Sequence, residues 1–198
     1  AVYLKKAIHY VAKSDKPYKA QGYKLELSQH FHGMYQLDSA AHYLNSVVAT
    51  TTIPRYKKAA KSVLSGVYLD KEEYEKALAN CLVFKDDAEG TYDKSNLLAT
   101  YVMLLDIVKL GNSSTLEEKA IKESGHPTFD KLLVDVENLS NSVQRQVVKI
   151  AGYKGVITHW LSKNNSVNAE RVLDKYLDAR DSFNTLEINE TRAEYNAK

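Results

Sequence analysis

Apolar residues recur along this chain at intervals of three and four, the spacing that places them on one face of an α-helix. One arrangement of apolar and small residues occurs twice, with a displacement of 37 residues. The first copy has Leu27, Ser28, Phe31, Leu37, Ala40, Ala41 and Leu44, and the second has Leu64, Ser65, Tyr68, Tyr74, Ala77, Leu78 and Cys81. A repeat of this length predicts a helix–turn–helix unit whose apolar face must be covered by a neighbouring unit. We therefore predict stacked helical hairpins.

Break signals between the apolar stretches divide the chain into about ten predicted helices. They span residues 1–13, 18–32, 38–50, 55–69, 71–83, 93–110, 115–124, 129–139, 142–163 and 167–183. Gly33 is expected to permit the first hairpin turn. Asp70 is expected to cap the helix predicted at residues 71–83. The three prolines fall between these helices. We predict an all-α fold, with residues 1–185 as a single helical-repeat domain and residues 186–198 as a C-terminal tail or capping segment.

The repeated residues resemble the tetratricopeptide repeat. In that family the first helix has a large apolar residue, a small one beside it and an aromatic residue three positions later, and the second helix has an alanine between two large residues. A third, looser copy lies 92 residues after the second, at Val156, Trp160, Ala169, Leu173 and Tyr176. The resemblance implies an antiparallel array of helical hairpins, a tetratricopeptide-like (TPR-like) α-solenoid. Within it, the small residue and the alanine face each other where two helices cross closely.

The chain also departs from this pattern. Lys24 and Lys61 stand where the family often has a tryptophan, and Ile157 occupies the small-residue position of the third copy. Residues 90–140 match no copy. Because 92 is not a multiple of 37, a degenerate helix pair or an insertion is expected between the second and third copies.

Similarity to this family further implies that the first helix of each hairpin lines a concave groove. The implied partner-binding residues are Glu26, Gln29 and His32 in the first copy, Ser62 and Gly66 in the second, and Lys154 and Thr158 in the third. The 14 tyrosines offer large, rigid contact groups for a binding face. For Tyr68 and Tyr74 a place in the core between helices is the alternative.

The sequence contains few signs of catalytic chemistry. His30 and His32 are two positions apart, so a helix places them on different faces, and no His-Glu-x-x-His metal motif occurs. Residues 86–90 resemble a calcium loop but lack its alternating ligands. Neither a phosphate-binding glycine loop nor a serine elbow is present. We predict no catalytic residues, no cofactor and no metal.

The net charge of +2 is unevenly distributed. Residues 1–61 have a formal charge of +7, residues 62–135 of −6 and residues 136–198 of +1. This suggests self-association through the basic 1–61 and acidic 62–135 segments, or ordinary solvated helix faces. The segment Arg55–Lys58 combines basic and aromatic residues, but the pI of about 8.4 is low for a nucleic-acid-binding domain. Nucleic acid is therefore a disfavoured partner.

Cys81 is the only cysteine and lies at an apolar helix position, so we predict a buried thiol rather than a reactive one. No apolar run reaches the roughly 20 residues of a membrane span. The chain begins Ala1-Val2 without a methionine, which is consistent with an exported mature chain, although a cytoplasmic location is favoured.

From these features we expect a non-enzymatic protein–protein interaction module, an adaptor or scaffold that binds a peptide or helix of a partner in a concave groove. Two alternatives remain open. One is a regulatory or sensor module that changes curvature when a peptide binds, and the other is a structural subunit of a larger assembly.

Overall fold

A computed structural model describes residues 2–13, 18–82 and 94–196, and among these residues the regular structure is helical, without β-strands. The described helices are α1 (Val2–Ala12), α2 (Lys19–Gly33), α3 (Leu37–Thr50), α4 (Pro54–Asp70), α5 (Tyr74–Cys81), α6 (Lys94–Gly111), α7 (Ser114–Ser124), α8 (Phe129–Ser142), α9 (Gln146–Ser162) and α10 (Ser166–Asn196). The prediction of an all-α protein is confirmed for these ranges.

The chain divides into two compact units, residues 1–86 and 87–198. Helices α1 to α5 belong to the first unit and α6 to α10 to the second. The single domain expected over residues 1–185 stays a prediction. The calcium-like segment at residues 86–90, and the break at residues 14–17 between the first two predicted helices, lie outside the described residues.

In the first unit, α2 and α3 form an antiparallel hairpin. The Gln21 amide donates to Thr50 Oγ1 at 3.2 Å, and Lys24 Nζ donates to Ser46 Oγ at 2.9 Å. Both contacts join an early residue of α2 to a late residue of α3. The core of this hairpin and of the following α4 consists of fully buried aliphatic side chains, namely Leu27, Leu44, Val47, Ala60, Leu64 and Val67. Burial of these side chains supplies the main stabilising free energy of the unit.

Helix α4 lies beside α2 and runs parallel to it. Near the start of both helices, a Cβ placed on Gly22 would meet the Tyr56 ring at ordinary contact distance, 3.6 Å from its Oη. At the other end, His32 Nε2 lies 2.6 Å from Asp70 Oδ2. The first helices of two successive hairpins are thus neighbours along their length.

The turn inside each hairpin is the same in all three copies of the repeat. Tyr35, Glu72 and Asn164 have positive φ angles of 58°, 59° and 55°. The next residue in each case donates its backbone N–H back into the preceding helix, at 2.8, 2.8 and 2.9 Å, to the carbonyl oxygens of Phe31, Tyr68 and Trp160. This is the Schellman arrangement, which satisfies carbonyls at a helix end. The prediction that Gly33 permits the first hairpin turn was therefore wrong. Gly33 is still helical, and Tyr35 has the left-handed conformation of the turn.

The correspondence between helices 92 residues apart covers more of the chain than the sequence pattern indicated. Helix α8 begins and ends 92 residues after α3, α9 does so relative to α4, and α10 begins 92 residues after α5. The connections before α4 and α9 also match. Thr51 and Ile53 have ψ angles of 134° and 112°, and Val143 and Arg145 have 145° and 100°. Of residues 90–140, which fitted no copy, those from Phe129 onward therefore follow the plan of α3.

Some predicted helix boundaries were wrong. Helix α5 begins at Tyr74 rather than at residue 71, and Asp70 is the last residue of α4, where it bonds His32 instead of capping α5. Ser142 ends α8 rather than starting α9. Helix α10 continues to Asn196, so the backbone of residues 186–196 extends the helix that was expected to end near residue 183.

In the second unit, α9 packs between α6, α8 and α10, and two glycines allow the close approach. A Cβ on Gly152 would overlap Ser140 Oγ of α8 and come within 3.0 Å of Leu98 Cδ1 of α6. A Cβ on Gly155 would lie 3.2 Å from Leu105 Cδ1. The order of these contacts makes α6 parallel to α9 and, with Phe129 stacked on His159, makes α8 antiparallel to it.

The repeat alanines are buried as the sequence predicted. Ala40, Ala77 and Ala169 are 0%, 0% and 3% exposed. In the second hairpin, Ser65 Oγ donates to the carbonyl oxygen of Ala77 at 2.9 Å, so the small residue and the alanine meet across the crossing.

Candidate functional site

The predicted partner-binding residues of the first two hairpins lie on neighbouring parallel helices. Glu26 and Gln29 are exposed on α2, Ser62 is exposed on α4, and Gly66 is half-buried there. Gln29 and Gly66 are equivalent positions of the two copies, 37 residues apart. The structure thus brings α2 and α4 together as a two-helix surface with polar groups on it.

His32 has a structural contact of its own. Its Nε2 lies 2.6 Å from Asp70 Oδ2, and both side chains are partly exposed. Because His32 lies in the last turn of α2 and Asp70 ends α4, the contact joins the ends of these two helices. His32 is therefore less free to bind a partner than Gln29 is.

The two predicted residues of the third copy lie on α9, in the second unit. Thr158 is half-buried, and its Oγ1 donates to the Gly155 carbonyl oxygen at 3.0 Å within the helix. Lys154 is exposed and acts on Asp106 of α6. Burial raises the pKa of the Asp106 carboxyl group, while Lys109 and Lys154 partly oppose that effect.

A charged cluster borders the turn between α4 and α5. Lys71 Nζ lies 2.7 Å from Asp38 Oδ1 and 3.0 Å from Glu73 Oε1, and Lys76 Nζ lies 2.5 Å from Glu73 Oε2. The hydrogen bond to Asp38, followed by that to Glu73, raises the pKa of Lys71. The hydrogen bonds from Lys76 and then Lys71 lower the pKa of Glu73. The cluster joins the start of α3 to the second hairpin.

Aromatic and methionine side chains are exposed at the edges of the first unit. The group includes Tyr3 and Tyr10 of α1, Tyr18 before α2, and Met34 and Tyr35 in the first hairpin turn. Exposed tyrosines are typical contact residues of binding surfaces. Tyr68 and Tyr74, in contrast, are half-buried, and Tyr68 packs against the core of the first unit.

In the second unit a buried carboxylate joins α8 to α10. Glu137 is 4% exposed, and its two carboxylate oxygens accept hydrogen bonds from Arg171 at 2.6 and 2.5 Å. Lys175 Nζ adds a third at 2.8 Å. Burial opposes ionisation of Glu137, but the bonds from Arg171 and Lys175 outweigh it and lower the pKa. Sequence reasoning missed this cluster, because residues 34 and 38 positions apart form no local pattern.

A cavity of about 300 Å³ lies in the same unit, where the end of α6, the start of α7 and the end of α9 meet. We call it the α7 cavity. His159 lines it and is 5% exposed, with its ring stacked on Phe129 at a centroid distance of 4.2 Å. Lys163 Nζ and Glu117 Oε2, 3.1 Å apart, form part of the wall. In the sequence His159 was only one of several scattered histidines. One signal of its burial was available, because the displacement of 92 residues aligns it with Val67, an apolar residue that is buried in α4.

Within the described ranges, no three His, Cys, Asp or Glu side chains are grouped so that they could hold a metal ion. No helix in the described part of the chain has the length and apolarity needed to cross a membrane.

Comparison with known proteins gave no match to a family model, to a curated protein or to a solved structure.

Proposed function

We propose that this chain is a non-enzymatic protein–protein interaction module of the TPR-like kind, which binds a peptide or helix of a partner protein on the first helices of its hairpins. In the first unit these helices are α2 and α4, and in the second unit the corresponding helix is α9. The observation that supports this most is the recurrence of one hairpin turn at Tyr35, Glu72 and Asn164, each followed by a buried alanine.

The physical argument concerns what a stacked hairpin buries and what it leaves exposed. Leu27 and Leu64 are buried against neighbouring helices, whereas Gln29 and Ser62 of the same helices face solvent. Parallel first helices held side by side would offer a partner a surface along their shared length. A partner helix or extended peptide placed there would bury apolar stems and meet polar groups, without loss of much conformational entropy by the module.

The proposed face can be tested with a displayed library of random peptides selected against the intact chain. Peptides that bind the face should lose affinity for a Gln29→Ala, Ser62→Ala double variant. They should keep their affinity for an Ala49→Ser variant, which changes an exposed position on the second helix, α3. His32 is left unchanged because its contact with Asp70 fixes α2 against α4.

Equal melting temperatures of the three proteins would exclude unfolding as the cause. The proposal would be contradicted if selected peptides bound the double variant and the unmodified chain equally. Self-association through the basic and acidic segments is a different proposal. It requires association that weakens steeply with salt, which light scattering measures.

A further inference from the structure

The α7 cavity is built from three helix ends. Lys109 comes from the last turn of α6, Ser113 and Ser114 from the start of α7, and His159, Ser162 and Lys163 from the end of α9. Its volume of about 300 Å³ lies at the lower end of the range typical of small-molecule sites. None of these residues belongs to the face proposed for the partner.

The start of α7 contributes hydrogen-bond donors. Ser113 is the N-cap residue, but its side chain makes no capping bond, and helix α7 extends over 11 residues. The first backbone N–H groups of a helix have no partner within it, and the helix dipole adds a partial positive charge. Such an end attracts anions, although this feature alone does not make a site.

His159 is the second, independent observation. The side chain is 5% exposed and lines the cavity, and the hydrogen bonds given for this residue within the described ranges go to its backbone carbonyl oxygen rather than to the ring. His126 of the same unit shows the contrast, since its Nδ1 lies 3.0 Å from Ser124 Oγ and its Nε2 3.2 Å from Asp135 Oδ2. The side-chain atoms that are fully enclosed without a partner in the described residues include Trp160 Nε1 but neither ring nitrogen of His159, so the imidazole is open to the cavity that it lines. A ligand in the cavity would supply its partner.

Three charged groups act on this ring. Lys163 directly follows the helix of His159, Glu117 is on α7 and Asp130 on α8, while Lys109 of α6 lines the same cavity. Burial lowers the pKa of His159 and Lys163 lowers it further, against the opposing effects of Glu117 and Asp130. With His159 neutral, Lys109, Lys163 and Glu117 leave a formal charge of +1 on the cavity wall.

The negative end of α9 is largely neutralised by its own turn. The carbonyl oxygen of His159 accepts hydrogen bonds from the Lys163 N–H at 3.2 Å and from Ser162 Oγ at 2.7 Å. The carbonyl oxygens of Trp160 and Leu161 accept from Asn165 and Asn164. Among the side chains of the lining, Lys109 and Lys163 only donate, the serines and Asn112 both donate and accept, and Glu117 only accepts.

We propose that the α7 cavity binds a phosphate group, either free or as part of a small phosphorylated molecule. The donors would be the first N–H groups of α7, the Lys109 ammonium group and the imidazole of His159. The oxyanion favours the protonated imidazole, so binding takes up a proton and strengthens as the pH falls.

The test is an NMR titration of the full chain with inorganic phosphate and with sulfate, a divalent oxyanion that stays fully ionised as the pH is lowered. We expect saturable shifts of the His159 ring signals and of the backbone amides at the start of α7. Sulfate affinity should increase on going from about pH 7.5 to about pH 5.5, the range over which histidine titrates. Acetate, a monovalent carboxylate, should bind more weakly.

Two lysine variants separate a built site from general charge attraction. Lys109→Ala is expected to weaken sulfate binding by about five- to tenfold, the loss of one charge-assisted contact. Lys122→Ala removes the same charge about 12 Å away at the other end of α7 and should leave binding unchanged. Both lysines are exposed, so neither change should unfold the protein.

A His159→Gln variant adds a further check where it folds, since sulfate binding to it should lose its pH dependence. The proposal would be overturned by an absence of saturable shifts, by equal weakening in both lysine variants, or by acetate binding as tightly as sulfate. The affinity for a small phosphorylated sugar distinguishes a site for free phosphate from a site for a larger phosphorylated molecule. Only the larger site should bind a small phosphorylated sugar more tightly than inorganic phosphate.

Discussion

Tyr35 and Glu72 have the same left-handed backbone conformation, with φ angles of 58° and 59°, at equivalent places in two successive hairpins. Residues with a Cβ rarely adopt this conformation, because the Cβ crowds the carbonyl oxygen, at a cost of about 1–2 kcal/mol. A tyrosine and a glutamate therefore occupy positions where the backbone conformation alone would favour glycine. The repeated turn is a property of the hairpin and does not depend on which residue occupies it.

A glycine at either turn position should stabilise the protein. We expect Tyr35→Gly or Glu72→Gly to raise the free energy of unfolding by about 0.5–1 kcal/mol, because relief of strain exceeds the extra entropy of the unfolded chain. Urea denaturation measures the change. Ala49→Gly, at an exposed right-handed position within α3, should lower stability by about 1 kcal/mol. The assigned turn geometry would be contradicted if a turn substitution and Ala49→Gly changed the free energy of unfolding in the same direction.

A methyl group at Gly152 should be poorly tolerated. Its Cβ would overlap Ser140 Oγ, so we expect Gly152→Ala to cost about 1–3 kcal/mol in the free energy of unfolding. Adding Ser140→Ala removes the overlapping oxygen and should restore part of the loss. Gly33→Ala is the control, because no atom lies within 4 Å of its Cβ position, and it should be neutral or slightly stabilising. A neutral Gly152→Ala would mean that α8 and α9 are farther apart.

The thiol of Cys81 should be inert while the first unit is folded. It is 2% exposed, and burial raises its pKa to about 12, against the opposing effect of a hydrogen bond with Ser65. At pH 8 the folded thiol is therefore protonated, whereas about a quarter of the thiols in an unfolded chain are ionised. An aromatic disulfide reagent should therefore react slowly in buffer and rapidly in urea. Rapid reaction of the native protein would show that α5 opens readily.

The sequence was a good guide to the first unit for a physical reason. Two copies 37 residues apart have matching small and aromatic residues at close helix crossings, and such matches are visible without a structure. The turn was missed because Gly33 is the residue type that turns favour, whereas Tyr35 adopts the conformation at a cost. Helix α8 was predicted as a helix, but its correspondence to α3 was missed because Leu132 and Leu133 replace the alanines at the positions of Ala40 and Ala41.

The sites were harder to predict, since tertiary packing creates them. Glu137 and Arg171 meet only because α8 and α10 pack together in the second unit. The α7 cavity combines three helix ends from residues 108 to 163, and no spacing rule connects them. The partner-binding positions, in contrast, were implied by the family resemblance, and of these Glu26 and Gln29 are exposed on α2.

The Glu137 cluster should behave as a coupled unit. Arg171→Leu leaves the carboxylate buried with Lys175 as its remaining partner, and we expect a loss of about 2 kcal/mol, between the values for exposed and for buried ion pairs. The double variant Glu137→Leu, Arg171→Leu should lose less than the sum of the single variants, because it leaves no unpaired buried charge. Additive losses would show that the two residues do not interact in solution.

The pH dependence of stability provides a separate test of the same carboxylate. The pKa of Glu137 is lowered in the folded protein, so its contribution is fully present above the unfolded value of about 4.3 and is lost as the pH falls through the lower folded pKa. Glu137→Gln resembles the protonated form. The stability difference between the unmodified chain and this variant should therefore be largest near neutral pH and shrink below about pH 4. Glu73→Gln, at an ion pair with solvent access, should show a smaller effect that added salt removes. A Glu137→Gln difference that stays constant with pH would mean that the carboxylate is not held ionised by Arg171 and Lys175.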